Sequence, residues 1–228
     1  MAGKFDGKTV VVLGGNAGIG LAAARMFRAE GAVLVITGRN PETLDSASRE
    51  IGALGVRSHM GDLAQSAETM IRIEQELGGI DALLVNAGVG GFAPATQITE
   101  QFWDSIHSVN LKGAFFAIQK ALPIMRDGGN IVITGSIGSV MAVPGNAAYA
   151  AAKAGIRAIA RVLAGELLPR GIRVNVVSPG PTDTEIFKRD ASPGQIAEMR
   201  ELLNSAVPIG RMGTPEEVAR AAVFLASE

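Results

Sequence analysis

The sequence predicts an α/β chain built on one doubly wound parallel sheet of six to seven strands, with helices covering both faces. Three observations carry this. Apolar runs of strand length alternate with amphipathic stretches of helix length, which is how successive strand-helix-strand units read. Most of those runs are continuous Val/Ile/Leu rather than alternating, the pattern of strands buried on both faces. Finally, 228 residues at 47% hydrophobic and 19% charged give a single domain, residues 1–228, enough apolar surface to enclose such a sheet.

The elements follow in order. Strands are expected at Thr9–Gly14, Val33–Thr37, Val56–Met60, Ala82–Asn86, Asn130–Ser136 and Val174–Ser178. Helices are expected at 19–30, 41–53, 66–77, 101–126, 147–169, 194–206 and 215–226. Pro41-Glu42 and Pro215-Glu216 place a proline and an acid in a first turn, with Asn40 and Thr214 as N-caps. Regular alternation implies right-handed crossovers. No internal repeat or linker interrupts it.

A formal net charge of −1 without a basic run supplies no electrostatic footprint for nucleic acid or an anionic membrane. The chain has no cysteine, which removes disulfides and thiolate metal sites and agrees with a reducing compartment. The N-terminus lacks an apolar secretory core, and no apolar stretch reaches the roughly 18 residues of a spanning helix. A soluble, cytoplasmic protein is expected. His59 and His107 have no metal-ligand spacing, so no metal is expected.

The first strand runs into Gly14-Gly15-Asn16-Ala17-Gly18-Ile19-Gly20. Glycines allow a tight turn and close backbone approach, and the free N–H groups and dipole of the following helix favour negative charge. A pyrophosphate fits such a turn; a plain strand-to-helix connection is the alternative. About 20 residues on, the second strand ends Thr37-Gly38-Arg39, where an acid would take a ribose 2′-hydroxyl or an arginine a 2′-phosphate. With no acid there and a guanidinium beside it, NADP(H) is favoured over NAD(H), which stays possible. The alternative for Arg39 is a solvated surface cation.

Tyr149, the only tyrosine, precedes Lys153 by four residues, so on a helix the two share a face. Using a free phenol as its phenolate at neutral pH costs about 4 kcal/mol. A neighbouring ammonium and an oxidised nicotinamide ring both push the phenol the right way.

Taken together, Gly14/Gly18/Gly20, Asn86-Ala87-Gly88, Asn110, Ser136, Tyr149/Lys153 and Pro179-Gly180 with Thr184 make the chain resemble the short-chain dehydrogenases/reductases over nearly its whole length. The resemblance implies a Rossmann-type fold and a hydride transfer between NADP(H) and a carbonyl or secondary alcohol. It assigns Tyr149 as general acid and base, and Ser136 as the hydrogen-bond donor to the substrate oxygen. By the same resemblance Lys153 holds the nicotinamide ribose, and Asn110 anchors a water in a proton relay. Cofactor contacts are implied for Gly14, Asn16, Gly18, Ile19, Gly20, Arg39, Asp62, Leu63, Asn86, Ala87, Gly88, Tyr149, Lys153, Pro179, Gly180, Thr182 and Thr184. Asp62 reads equally well as an N-cap, and Asn110 as a mid-helix kink.

Two departures stand out. Leu13 occupies the place of the family's threonine, a side chain that braces the turn. The sequence also stops at Glu228, short of the family's final strand, so either the chain is truncated or its sheet has six strands. Phe92, Met141, Val143, Ile186, Phe187, Met199 and Leu202 predict an apolar substrate pocket, and Thr182–Ala206 a mobile lid. Phe115, Phe116 and the alanine-rich helices predict a homo-oligomer, a tetramer by the family resemblance. The rival readings are a catalytically silent dinucleotide sensor, which would need none of Ser136, Tyr149 and Lys153, an epimerase or dehydratase, which needs a longer chain, and a serine hydrolase, which needs a Gly-x-Ser-x-Gly elbow.

Overall fold

The strands pair in the order β3-β2-β1-β4-β5-β6, all parallel, in a computed structural model that describes residues 3–184 and 192–227. They are β1 (Thr9–Leu13), β2 (Val33–Gly38), β3 (Leu54–Arg57), β4 (Ile80–Val85), β5 (Met125–Thr134) and β6 (Arg173–Val177). The helices are α1 (Gly18–Ala29), α2 (Pro41–Ile51), α3 (Leu63–Leu77), α4 (Glu100–His107), α5 (Ala114–Ala121), α6 (Ala147–Glu166), α7 (Pro193–Ala206) and α8 (Pro215–Ala226). This is the Rossmann-like α/β fold expected from the sequence, with six strands among the described residues. No helix among them is long and apolar enough to cross a membrane.

The two-sided burial of the strands is visible residue by residue. Val11, Leu13, Val35, Leu83, Val85, Ile131 and Ile133 point to one face, where Met70 and Ile73 of α3, Ile118 of α5 and Ile156 of α6 cover them. Val10, Val12, Leu34, Ile36, Leu84 and Val132 point to the other, under Phe27 of α1, Leu44 of α2 and Ala219 and Ala222 of α8. Successive strand side chains face opposite sides, so a strand apolar at every position demands helices on both.

Sequence start signals hold at two helices. Asn40 caps α2 by accepting from the Thr43 N–H at 3.2 Å, and Thr214 and Glu217 form a reciprocal capping box on α8. Several boundaries differ from expectation, three of them with a visible local cause. β3 lies at 54–57 rather than 56–60, because His59 is already drawn into the turn before α3: its N–H donates to the Gln65 side chain and its carbonyl accepts from Asp62 N. The helix expected over 101–126 is α4, a π-helical turn over Ser108–Gly113, then α5, which ends at Ala121; Leu122-Pro123-Ile124 form a 3₁₀ turn and β5 starts at Met125. Proline lacks the N–H that would continue the helix. The fifth strand ends at Thr134, two residues before Ser136.

Candidate functional site

At the carboxyl edge of the sheet, β1 leads into the glycine-rich turn. Gly14 sits at φ +79°, and a Cβ there would lie 2.7 Å from the Ala87 Cα; a Cβ on Gly20 would lie 2.0 Å from the Gly14 carbonyl oxygen. These glycines let the turn, α1 and the Asn86-Ala87 segment after β4 close on one another. Asn86 is the clasp: its Nδ2 donates to the Gly14 carbonyl at 3.0 Å and its Oδ1 accepts from the Thr134 hydroxyl at 3.1 Å. α1 has no side-chain cap, so its first-turn N–H groups at Gly18, Ile19 and Gly20 are turned to the space above the edge.

The turn is braced from β2. Thr37 is buried; its Oγ1 accepts from Gly14 N at 3.0 Å and its carbonyl from Gly15 N at 3.0 Å. The brace missing at Leu13 is thus supplied by the adjacent strand. Thr37→Val, nearly isosteric, would leave the Gly14 N–H unpaired, at about 1–3 kcal/mol. The expected result is a cofactor Kd raised about tenfold or more with kcat at saturating cofactor nearly unchanged, and recovery in Thr37→Ser, measured by titration calorimetry and steady-state kinetics.

Ser136 and Tyr149 meet across the strand end. Ser136 begins a 3₁₀ turn and its Oγ accepts from Gly138 N at 3.1 Å; a Cβ built on Gly138 would lie 3.3 Å from that Oγ and 3.8 Å from the Tyr149 ring, so both groups border the same glycine. Burial pushes the phenol above its ordinary 10, and the Ser136 hydrogen bond works in the opposite direction. This differs from the depressed phenol expected from the Tyr-x-x-x-Lys spacing. Lys153 lies 5.7 Å from the Tyr149 ring centroid, and its Nζ donates to the Thr134 carbonyl at 2.7 Å. Burial, with 5% of the residue exposed, pulls its ammonium down to about 8. Spacing puts the amine on the right face, but desolvation opposes the charge of both groups.

Asn110 stands in the π-helical turn, 2% exposed. Its Nδ2 donates to the Val89 carbonyl at 2.7 Å and its Oδ1 accepts from Val89 N at 3.0 Å. The helix is interrupted here by the π turn, and a Cβ on Gly88 would lie 3.0 Å from Asn110 Oδ1 and 3.8 Å from Lys153 Nζ. Pro179 accepts from Ile137 N at 2.9 Å, next to Ser136; Thr182 donates to the Gly180 carbonyl at 3.0 Å, and Thr184 Cγ2 lies 3.3 Å from the Cβ position of Gly18. The segment after β6 therefore reaches from the serine to the start of α1.

The outlying positions are Arg39, exposed at the end of β2, and Asp62 and Leu63 at the start of α3. Asp62 performs the capping role: its Oδ1 accepts from Ala64 N and Gln65 N, and its Oδ2 from the Gln65 side chain. Ile186 and Phe187, with the middle of the expected lid, lie outside the described residues. Phe92, Met141 and Val143 are exposed, and a bond from Ala93 N to the Gly145 carbonyl joins their two loops into one apolar rim. Sequence reasoning passed over Thr37 and Thr134. The signal was there: each is a hydroxyl closing a buried apolar run, Leu34-Val35-Ile36 before Thr37 and Ile131-Val132-Ile133 before Thr134, and such a group must find a partner.

Residues 14–228 match the family model described as enoyl-(acyl carrier protein) reductase. The chain is 42% identical to an oxidoreductase, asL5, of Sarocladium schorii, over 98% of this chain and 90% of that protein. It is 35% identical to the 3-oxoacyl-(acyl-carrier-protein) reductase FabG of Thermotoga maritima, over 99% and 92%. Among solved structures it is similar to BdcA in complex with NADPH, with a TM-score of 0.89 and 37% identity over 99% of this chain and 89% of that one. With the glycine spacing, the Ser136–Tyr149 pair and Lys153 gathered on one sheet edge, these matches make the chain a member of the short-chain dehydrogenase/reductase family.

Proposed function

We propose that this protein is an NADP(H)-dependent oxidoreductase that reduces carbonyl compounds or oxidises secondary alcohols, with Tyr149 moving the proton. What carries this reading is the gathering of three side chains: Ser136 Oγ and the Tyr149 ring both lie beside Gly138, and the Lys153 amine stands 5.7 Å from the ring centroid. The glycine-rich turn fits a dinucleotide: its glycines hold the backbone open where a Cβ would collide, and the uncapped start of α1 offers N–H donors to a pyrophosphate. NADPH in the solved relative supports the cofactor, and the reductase activity named for a curated relative supports the reaction class.

The residues divide the work. In reduction the Tyr149 hydroxyl gives its proton to the carbonyl oxygen, and in oxidation the phenolate takes the alcohol's proton. Ser136, its lone pair engaged by Gly138 N, points its proton at the same oxygen and stabilises negative charge as it develops there. Lys153 adds positive potential behind the phenol, and Asn110 holds the adjoining backbone in place. A nicotinamide held by Lys153 and the Pro179-Gly180 segment would supply or receive the hydride, and its oxidised, cationic ring would draw the phenol's pKa down. The apolar rim of Phe92, Met141 and Val143 selects an apolar ketone or secondary alcohol. Half-buried Phe115 and Phe116 on α5 and exposed Trp103 on α4 and Val162 on α6 favour a homo-oligomer, a tetramer by family resemblance, acting in the cytoplasm.

The reading is tested by following reduced-nicotinamide absorbance with a panel of ketones and both cofactors. The expected outcome is turnover of apolar ketones with kcat/KM at least about tenfold higher for NADPH than for NADH. Turnover restricted to highly charged substrates would reject the pocket, and no turnover with any ketone would reject the activity.

A further inference from the structure

The residue that opens α6 is of a type that caps helices, yet it does not cap. Asn146 stands at the N-cap with φ −103° and ψ 14°, outside the extended region from which a capping side chain reaches the first-turn N–H groups, and it makes no such bond. Its backbone is engaged: the N–H donates to the Val143 carbonyl at 3.1 Å, and the carbonyl accepts from Ala150 N at 2.8 Å. The side-chain amide has no hydrogen-bond partner among the described residues, although the residue is only 7% exposed. Nor is the amide sealed in, as the unpartnered Asn130 Oδ1 is. What it faces is the serine of the site. A Cβ built on Gly138 would lie 3.0 Å from Asn146 Nδ2, 3.3 Å from Ser136 Oγ and 3.8 Å from Tyr149 Cε1, so the three groups stand round one point. The helix imposes part of this, because Asn146, Tyr149 and Lys153 fall at i, i+3 and i+7, one stripe along α6. The preceding loop imposes the rest: Gly145 turns the chain at φ +79°, and its carbonyl, bonded to Ala93 N, ties the Asn146 end of the loop to the segment that carries Phe92.

Resting on the reading of a carbonyl site at Ser136 and Tyr149, we propose that Asn146 is a specificity-determining residue whose amide binds a second, neutral oxygen of the substrate, close to the reacting carbonyl. The substrate class is then a ketone oxygenated at the neighbouring position, or the corresponding alcohol. Nδ2 can only donate, so the second oxygen is an acceptor, and the uncharged groups around it suit an ether, hydroxyl or carbonyl oxygen better than a carboxylate. Serine and amide are a two-pronged donor set, one prong for the reacting oxygen and one for its neighbour. A plain ketone fills one prong and leaves the buried amide unpaired, a mismatch that discriminates more strongly than a missing methylene does. The apolar rim takes the rest of the molecule. Asn146 touches no reacting atom, so it governs which ketone is accepted and how it lies, not the path of the proton.

The test compares two ketones of equal chain length, one all-carbon and one with an ether oxygen bonded to the carbon next to the carbonyl. Their kcat/KM values with NADPH are measured on the full chain as wild type, Asn146→Leu and Asn146→Ala, and each protein is also followed through thermal unfolding. Wild type is expected to prefer the ether ketone by at least about tenfold. Asn146→Leu, close in volume and without a donor, is expected to reduce that preference by about tenfold or more; because the quantity read is a change in a ratio, the greater intrinsic reactivity of the ether ketone cancels. The Tm of Asn146→Leu is expected to be no lower than that of wild type, since the amide has no partner in the fold to lose. Should the leucine fail to fold, Asn146→Ala, which empties the position, gives the same ratio. A wild-type ratio near one means that water alone satisfies the amide and overturns the inference. So does a ratio that both variants leave unchanged, and a lowered Tm beside it makes Asn146 a brace of the loop. In either case turnover of the ketones that Tyr149→Phe abolishes keeps the functional reading. A wild type that turns over no ketone overturns both.

Discussion

Replacement of Tyr149 by phenylalanine is expected to lower kcat by about 10²- to 10⁴-fold, with the fold and the cofactor Kd close to wild type. The ring stays and continues to fill its half-buried position on α6; only the hydroxyl and its hydrogen bond with Ser136 are lost. The pH profile separates a proton-transfer role from a packing role. Burial holds the phenol above its ordinary 10, so at neutral pH it is protonated and ready as an acid. Carbonyl reduction is therefore expected to be flat through neutrality and to fall only as the pH passes the phenol's own pKa. Alcohol oxidation consumes the deprotonated form and is expected to rise with pH up to that point, earlier on the scale when the oxidised cofactor's positive charge draws the pKa down. Initial rates in both directions across a pH series check this, and Tyr149→Phe should lack the rising limb. Wild-type activity in the variant, or an oxidation rate indifferent to pH, would remove Tyr149 from the proton path.

Most of this site was readable because its parts are fixed by sequence interval. The glycine spacing and the i, i+4 relation of Tyr149 and Lys153 are local, and a strand-helix alternation carries local patterns to one sheet edge without further information. Non-local hydrogen bonds were not readable. Thr37 reaches Gly14 across 23 residues, Asn86 reaches Thr134 across 48, and Lys153 reaches the Thr134 carbonyl across 19. Each depends on strand register or on how a helix sits on the sheet, which no interval in the chain reports. The break of the predicted 101–126 helix into α4, a π turn and α5 was hidden for a related reason. Apolar periodicity continues through Val109 and Leu111, while the extra residue in the turn is stabilised by tertiary bonds from Asn110 to Val89. Electrostatics was legible only in part: spacing indicated that an ammonium stands near a phenol, but not that both are desolvated enough for burial to set the direction of each.

That last point gives Lys153→Met an unusual combination of expected effects. Burial draws the Lys153 ammonium from its ordinary 10.5 to about 8, a difference worth roughly 3 kcal/mol at about 1.4 kcal/mol per pH unit. The sign follows from linkage. Below pH 8 the folded chain carries a charge it disfavours relative to the unfolded chain, so the full destabilisation is present there. It fades as the pH rises from about 8 to 10.5 and vanishes above that, where both states are neutral. Methionine has similar length and no charge, so it removes this cost at pH 7, offset by about 1–3 kcal/mol for the Thr134 carbonyl left without its donor. The net expectation is a gain of about 1 kcal/mol, or about 2–4 °C in Tm, alongside a loss of about 10²- to 10³-fold in kcat as the positive charge behind the phenol disappears. Thermal unfolding from pH 7 to 10.5 makes the comparison direct: the stability of the wild type should climb relative to that of the variant and the two should converge or cross. A variant less stable than wild type at every pH would mean that the buried ammonium is held by more than the Thr134 carbonyl, and an active variant would deny it any part in the proton transfer.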